Sequence, residues 1–269
     1  MASEQFVRVN GLSFRCRLDG PEGAPALVFS NSLLTDLTLW DAQVAAFAGR
    51  YRILRYDQRG HGGTEVPPEP ATLDRLTEDA AALLRHFGLA GTTFVGVSMG
   101  AATALCLAAR APELVAAVLA SDGQAATAPG GAQAWQERID LARENGMPAF
   151  AEATLRRWFS PASTASGNPA IARVREMIQA TPEAGFVACA RALQAYDIRA
   201  ELPHLRQPVL LVAGAADGAM PQTMRGMAEV IPNARFVEIP DAGHLPCIET
   251  PDAFNAALEG LRGLHLGQV

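Results

Sequence analysis

The chain has 269 residues, 49% of them hydrophobic, enough to bury one large core, or a core and a small lid. Its net charge is −6 with a pI near 5.4, and it carries no basic block, so nucleic acid is not an expected partner. All 22 basic residues are arginine, and the absence of lysine excludes a P-loop lysine, a Schiff base and a Ser-Lys dyad.

Two early runs, QFVRVN and LSFRCRL, predict a hairpin turning at Asn10-Gly11. PALVFSNSLLTD then runs from an apolar strand into a polar turn, followed by a helix near Leu39 to Ala48 and the strand RILRYD. Asp57 and the RGHGG loop read as structural, organising a turn. A helix over Leu73 to Phe87 leads to the buried strand Thr93–Val95, the segment GVSMG and an alanine-rich helix from Ala101 to Ala109. The strand LVAAVLASD ends at Asp122. Beyond Gln124 strand-like runs vanish and helical spacings take over, as in Ile171, Val174 and Ile178, then Phe186, Ala190 and Leu193. GQAATAPGG opens this stretch and SPASTASGNP interrupts it. Strands resume at PVLLVAG and ARFVEI, and a final helix covers Pro251 to Leu261. The alternation predicts a mostly parallel, eight-stranded sheet flanked by helices, with right-handed crossovers. Residues 1–123 and 206–269 form the expected core, and 124–205 a helical cap of about four helices inserted before the last two strands.

GVSMG, at 96–100, fits G-x-S-x-G on a strand-to-helix turn, with the Ser98 hydroxyl exposed and the helix N-terminus pointing its amides at it. A serine hydroxyl needs a base and an orienting carboxylate. Among the five histidines only His244 lies in a Gly-His loop, DAGHLP, directly after a strand; His61, His86, His204 and His265 read as structural. Asp217 follows PVLLVAGAA at a strand's C-terminal edge and completes the chain order Ser, Asp, His. Asp122 ends the preceding strand and is the alternative acid. The amides of Met99 and Leu33 are the candidate oxyanion donors.

These segments together resemble an α/β-hydrolase of the 3-oxoadipate enol-lactonase group. The resemblance is carried by FSNSLLTDLTLWDAQ, YRILRYDQRGHGGTEVPP, GVSMG, DAGHLPCIETPDAFNAAL and, most narrowly, the cap stretch WQERIDLARENGMPAFAEATLRRWF. Three positions depart from it. Leu34 replaces the glycine usual in the family's NSLG, Ala101 the second glycine usual after SMG, and Pro246-Cys247 the frequent Ser-Asn. The resemblance implies a cap covering the serine and excluding bulk water.

Within the cap, Trp135, Arg138, Arg157, Trp158 and Phe159 are weighed as substrate contacts: Trp135 and Trp158 favour packing between cap and sheet, while Arg138 and Arg157 either lie on a solvated helix face, which is favoured for any single one, or hold a substrate carboxylate through charge-assisted pairs. All four of Trp135, Arg138, Arg157 and Trp158 are candidate substrate contacts. The expected activity is hydrolysis of a small acidic ester or enol-lactone through an acyl-enzyme. General carboxylesterase, amide or formyl hydrolase, carbon–carbon hydrolase, perhydrolase and ligand-sensor readings share the same residues. No metal or organic cofactor is implied, and the expected partner is a small-molecule substrate. The scattered cysteines Cys16, Cys106, Cys189 and Cys247 have no C-x-x-C spacing and read as reduced thiols in a cytoplasm. The N-terminal MASEQFVRVNG has no apolar h-region, and Arg110, Pro112 and Glu113 break the apolar stretch from Ala101 to Ala120, so neither signal peptide nor membrane span is expected.

Overall fold

The computed structural model describes residues 3–265, with side chains from 4 to 261, so Met1, Ala2 and the side chain of His265 lie outside the described residues. Strands β1 (Ser3–Val9) and β2 (Leu12–Asp19) pair antiparallel through a two-residue turn. Asn10 and Gly11 both take positive φ there, 47° and 82°, as the mirror-image hairpin turn requires. The other strands are β3 (Ala26–Ser30), β4 (Arg52–Tyr56), β5 (Thr92–Val97), β6 (Val115–Ser121), β7 (Val209–Gly214) and β8 (Ala234–Ile239). The sheet has eight strands in the order β1-β2-β4-β3-β5-β6-β7-β8, and only β2 runs against its neighbours. Every residue of β5 and β7 is buried, as expected of central parallel strands covered on both faces.

The chain leaves β3 for β4 on one side and returns to β5 on the other. The loops after β3 and β5 therefore diverge and open a crevice at the C-terminal edge, where open α/β sheets place their ligands.

A 3₁₀ turn (Leu37–Trp40) leads into α1 (Asp41–Phe47), and α2 (Leu73–His86) and α3 (Met99–Arg110) flank β5. Between β6 and β7 come α4 (Gly131–Trp158), α5 (Pro161–Ser166), α6 (Pro169–Ala180) and α7 (Glu183–Gln194). α8 (Met220–Val230), the single turn α9 (Pro246–Glu249) and α10 (Pro251–His265) complete the chain. Among the described residues no helix is long and apolar enough to cross a membrane.

The segment SPASTASGNP, read from sequence as an interruption, instead contains α5. Ser160 caps it by accepting the Ser163 amide at 3.1 Å, and Pro161 stands in the first turn, where its missing N–H costs nothing. α4 bends at Gly146, whose φ of 75° and ψ of 163° belong to a region open essentially to glycine alone. The bend separates an arm carrying Trp135 and Arg138 from one carrying Arg157 and Trp158. Behind it, Phe150 meets Phe186 of α7 with ring centroids 4.8 Å apart.

Gly146→Ala tests this bend. A methyl there meets only Pro148 Cδ, at 3.7 Å, so the cost is backbone strain of about 1 to 3 kcal/mol rather than a clash. Thermal unfolding should show a fall of several degrees, against little change for Asn145→Ala next to it. Equal melting of the two variants would show that the bend tolerates a side chain.

Candidate active site

Ser98 lies between the last residue of β5 and the first of α3, with φ 57° and ψ −114°. Its neighbours must be small for a reason visible in the backbone. A Cβ on Gly96 would stand 2.1 Å from the Gly100 carbonyl oxygen, and one on Gly100 2.1 Å from that of Ser30. Helix, strand and the end of β3 thus meet main chain to main chain beneath the serine.

Met99 opens α3, where the helix offers its amide no acceptor. Leu33 lies in the loop after β3, and Asn31 anchors that loop through its side chain. Asn31 donates to the Tyr56 carbonyl at 3.0 Å and accepts the Trp40 indole N–H at 2.8 Å. Both Leu33 and Met99 are buried and line the same cavity as Ser98. No hydrogen bond to either amide is seen among the described residues. Leu34, where the resemblance leads one to expect a glycine, takes the conformation glycine would favour, φ 70°, with its side chain fully buried. Ala101 sets its methyl 2.6 Å from where a Cβ on Gly123 would stand, and Pro246 sits in the first turn of α9.

Asp217 follows β7 and His244 follows β8. Nδ1 of His244 lies 2.7 Å from Asp217 Oδ2, the arrangement in which Nδ1–H donates to a carboxylate and Nε2 is left to accept a proton. Asp122, at the end of β6, is fully buried and does not take the imidazole. Its carboxyl accepts the Ser121 hydroxyl at 2.6 Å and the Gly214 amide at 2.9 Å, and hydrogen bonds to Asp217. Two carboxyl groups in contact share a proton, and their surroundings decide which keeps it. Burial, then the adjacent Asp217 charge, push Asp122 well above the ordinary carboxylate value. Burial also pushes Asp217 up, but the His244 imidazole and the hydrogen bond from Asp122 outweigh it and hold Asp217 below that value. The negative charge therefore sits beside the imidazole, with the proton on Asp122. Among the described residues these three also form the group of metal-ligating side chains that converges, within 4.8 Å, and their hydrogen bonds to one another already use the facing atoms.

Ser98, Asp217 and His244 line a cavity of about 610 Å³ under the two arms of α4. Trp135, Arg138, Arg157 and Trp158 line it as well, while Phe159 packs outside it. Trp158 serves both packing and cavity, because its ring stacks on His244 with centroids 5.3 Å apart. Arg138 lies between the rings of Trp135 and Phe150, 4.7 and 5.6 Å from their centroids. Its Nη2 is buried without a hydrogen-bond partner. Burial and the nearby Arg157 lower its pKa to about 10, so it stays cationic at neutral pH. Asp57 lies away from this cavity and accepts the amides of Leu37 and Gly63 at 2.6 and 2.8 Å. Gln124, Tyr196 and Met220 also line the cavity, and no spacing or motif marks them in the sequence.

The alpha/beta hydrolase fold family matches residues 25–251 of this chain. The chain belongs to the alpha/beta hydrolase family. Within that family it is similar to 3-oxoadipate enol-lactonase 2 of Acinetobacter baylyi, with 36% identity over 96% of this chain and 94% of the relative. The crystal structure of the enol-lactonase from Burkholderia xenovorans, 36% identical, superposes with a TM-score of 0.90 over 96% of this chain and 100% of that one. A thermophilic esterase from Thermogutta terrifontis, 28% identical, superposes with a TM-score of 0.87 over 98% and 99% of the two chains.

For this hydrolase the carboxyl pair yields a ranking. Asp217→Asn should reverse the imidazole tautomer and cost about 10⁴ in kcat. Asp122→Asn places an amide donor where a neutral carboxyl donates, and should cost under about tenfold. Steady-state kinetics on a small aryl ester measures both, and the reverse ranking would assign the acid to Asp122.

Proposed function

We propose that this hydrolase opens a small enol-lactone or ester bearing a free carboxylate, with Ser98 as nucleophile, His244 as base and Asp217 as its orienting acid. Ser98 Oγ attacks the carbonyl carbon while His244 Nε2 takes the hydroxyl proton. The amides of Leu33 and Met99 receive the oxyanion, and the α3 N-terminus adds its positive potential. Collapse of the tetrahedral intermediate breaks the acyl–oxygen bond, and His244 returns the proton to the leaving oxygen. Water, deprotonated by the same imidazole, then releases Ser98 and leaves a carboxylate product. When a lactone is the substrate, the leaving oxygen stays tethered to the acyl group, so ring opening and deacylation occur in one undivided cavity.

The observation that carries the acidic substrate is the Arg138 guanidinium, cationic and lacking a hydrogen-bond partner for Nη2, in the wall of the cavity that holds Ser98. A buried cation left unpaired costs free energy that a substrate carboxylate would offset. Arg157, on the other arm, adds a second positive charge. The enol-lactonase relatives support the same reading. Residues 124–205 act as the cap that shapes this cavity over a core of 1–123 and 206–269. The substrate is a small molecule, and a cytoplasmic setting suits the unpaired cysteines, all four of which are buried and free.

Ser98→Ala should lower turnover by about 10⁴ to 10⁶ while leaving the fold intact. Retention of more than a tenth of the activity would remove Ser98 from the nucleophile role. Arg138→Ala should lower kcat/KM for an acidic substrate about tenfold to a hundredfold, since a hydrogen bond to a charged group contributes roughly 1.5 to 3 kcal/mol. The methyl ester of the same substrate should be nearly indifferent. Equal losses on acid and ester would indicate packing damage, and no preference for the acid in the parent would favour a general esterase.

A further inference from the structure

The triad leaves unused one carboxylate that reaches both the helical insertion and the histidine loop. Glu249, at the end of α9, is 4% exposed. Its Oε1 accepts the Ser160 amide at 2.9 Å, and its Oε2 the Gly243 amide at 2.7 Å. Ser160 belongs to the hinge between α4 and α5, and Gly243 immediately precedes His244. Among the described residues Glu249 has no cationic partner, so these two amides are what receive its charge.

The same two segments meet at three further points. The His244 amide donates to the Trp158 carbonyl at 2.7 Å, the Ser160 hydroxyl donates to the Asp241 carbonyl at 2.7 Å, and the Trp158 ring stacks on the imidazole. The approach is close enough that a Cβ on Gly243 would stand 2.1 Å from the Trp158 carbonyl oxygen. Each of these other ties joins one point to one point. Among the described residues only Glu249 holds the backbone on both sides through a single rigid group.

We propose that Glu249 is a positioning residue for hydrolysis: its carboxylate locks the loop carrying His244 to the hinge of the helical insertion, so that the imidazole keeps its place only while the insertion is seated. The proposal rests on His244 being the base. Opening of the insertion then withdraws the base from Ser98, and seating restores it, which couples closure over a substrate to assembly of the reacting groups.

Glu249→Gln keeps the size but has one acceptor oxygen, and its NH₂ group faces an amide that needs an acceptor. On a small neutral aryl ester, kcat should fall about tenfold to a hundredfold with KM within about threefold, because small displacements of a reacting group carry losses of that order. The rate at which an organofluorophosphonate labels Ser98 should fall with kcat, since labelling needs the same base. A residue of merely structural role would lower Tm and leave both rates of the folded protein unchanged. Rates within about threefold of the parent, or a loss carried by KM alone, would overturn the proposal.

A measurement on the parent protein covers the case of a variant that does not fold. The amides of Ser160, Gly243 and His244 should exchange with deuterium within about tenfold of one another, as one opening unit. Exchange of Ser160 more than tenfold faster than Gly243 would show the hinge opening without the histidine loop, and would overturn it equally. His244→Ala separates the two readings. Activity surviving that change fails the triad, whereas activity lost there but kept in Glu249→Gln fails only the role of Glu249.

Discussion

The main-chain seam under Ser98 is the constraint on which the rest of the site depends. The end of β3, the end of β5 and the first turn of α3 must come within contact distance of one another, and the carbonyls of Ser30 and Gly100 occupy the space that side chains would need. Only a glycine at 96 and at 100 allows the reversal to be this tight. The tightness puts the serine at the N-terminus of a helix, holds it in a backbone conformation that costs of order 1 to 3 kcal/mol elsewhere, and brings the end of β3 into main-chain contact with the first turn of α3. Each of these properties would be lost if the seam widened by the width of a methyl group.

A second constraint is electrostatic. Four successive strand ends contribute to the cavity: Ser98 after β5, Asp122 after β6, Asp217 after β7 and His244 after β8. Two carboxyl groups placed side by side cannot both ionise without strong repulsion. The deeper one, satisfied by Ser121 and Gly214, keeps the proton, and the one facing the imidazole keeps the charge. Asp122 thus supports Asp217 by donating to it, and both aspartates singled out in the sequence have a place in one hydrogen-bonded arrangement. Across the cavity the charge balance is reversed: among the described residues neither Arg138 nor Arg157 forms a salt bridge, and Arg157 acts on Asp217 only through space.

The residues that meet in the cavity are largely legible in the sequence because their chemistry is tied to local pattern. A serine between two glycines after an apolar run, an aspartate at a strand end and a Gly-His loop each carry a backbone reason for their neighbours. The mostly parallel eight-stranded sheet is legible in the alternation of strand and helix patterns, whereas the order of its strands is not fixed by any local pattern. Other features escape such reading. The helix α5 hides in a stretch of serine, threonine and proline because a cap and a proline in the first turn outweigh low propensity there. Gly146, with Pro148 two residues on, bends α4 into two arms, and no local pattern says how those arms are set over the cavity. Glu249 sits in an ordinary acidic position two residues before a proline, and its hydrogen bond to an amide 89 residues away is one that no local pattern announces. Tyr196 and Met220 enter the cavity from segments whose periodicity points only to packing.

Leu34 illustrates a different economy from the glycine it replaces. A glycine reaches a left-handed backbone freely and leaves the loop after β3 free to leave it again. Leucine reaches it under strain and stays only because its side chain is fully enclosed by the core. The direction of the neighbouring Leu33 amide is therefore set by side-chain packing at a distance from the serine. The shape of the loop after β3 is thus tied to the integrity of the core around Leu34, and packing lost there would release the strained peptide.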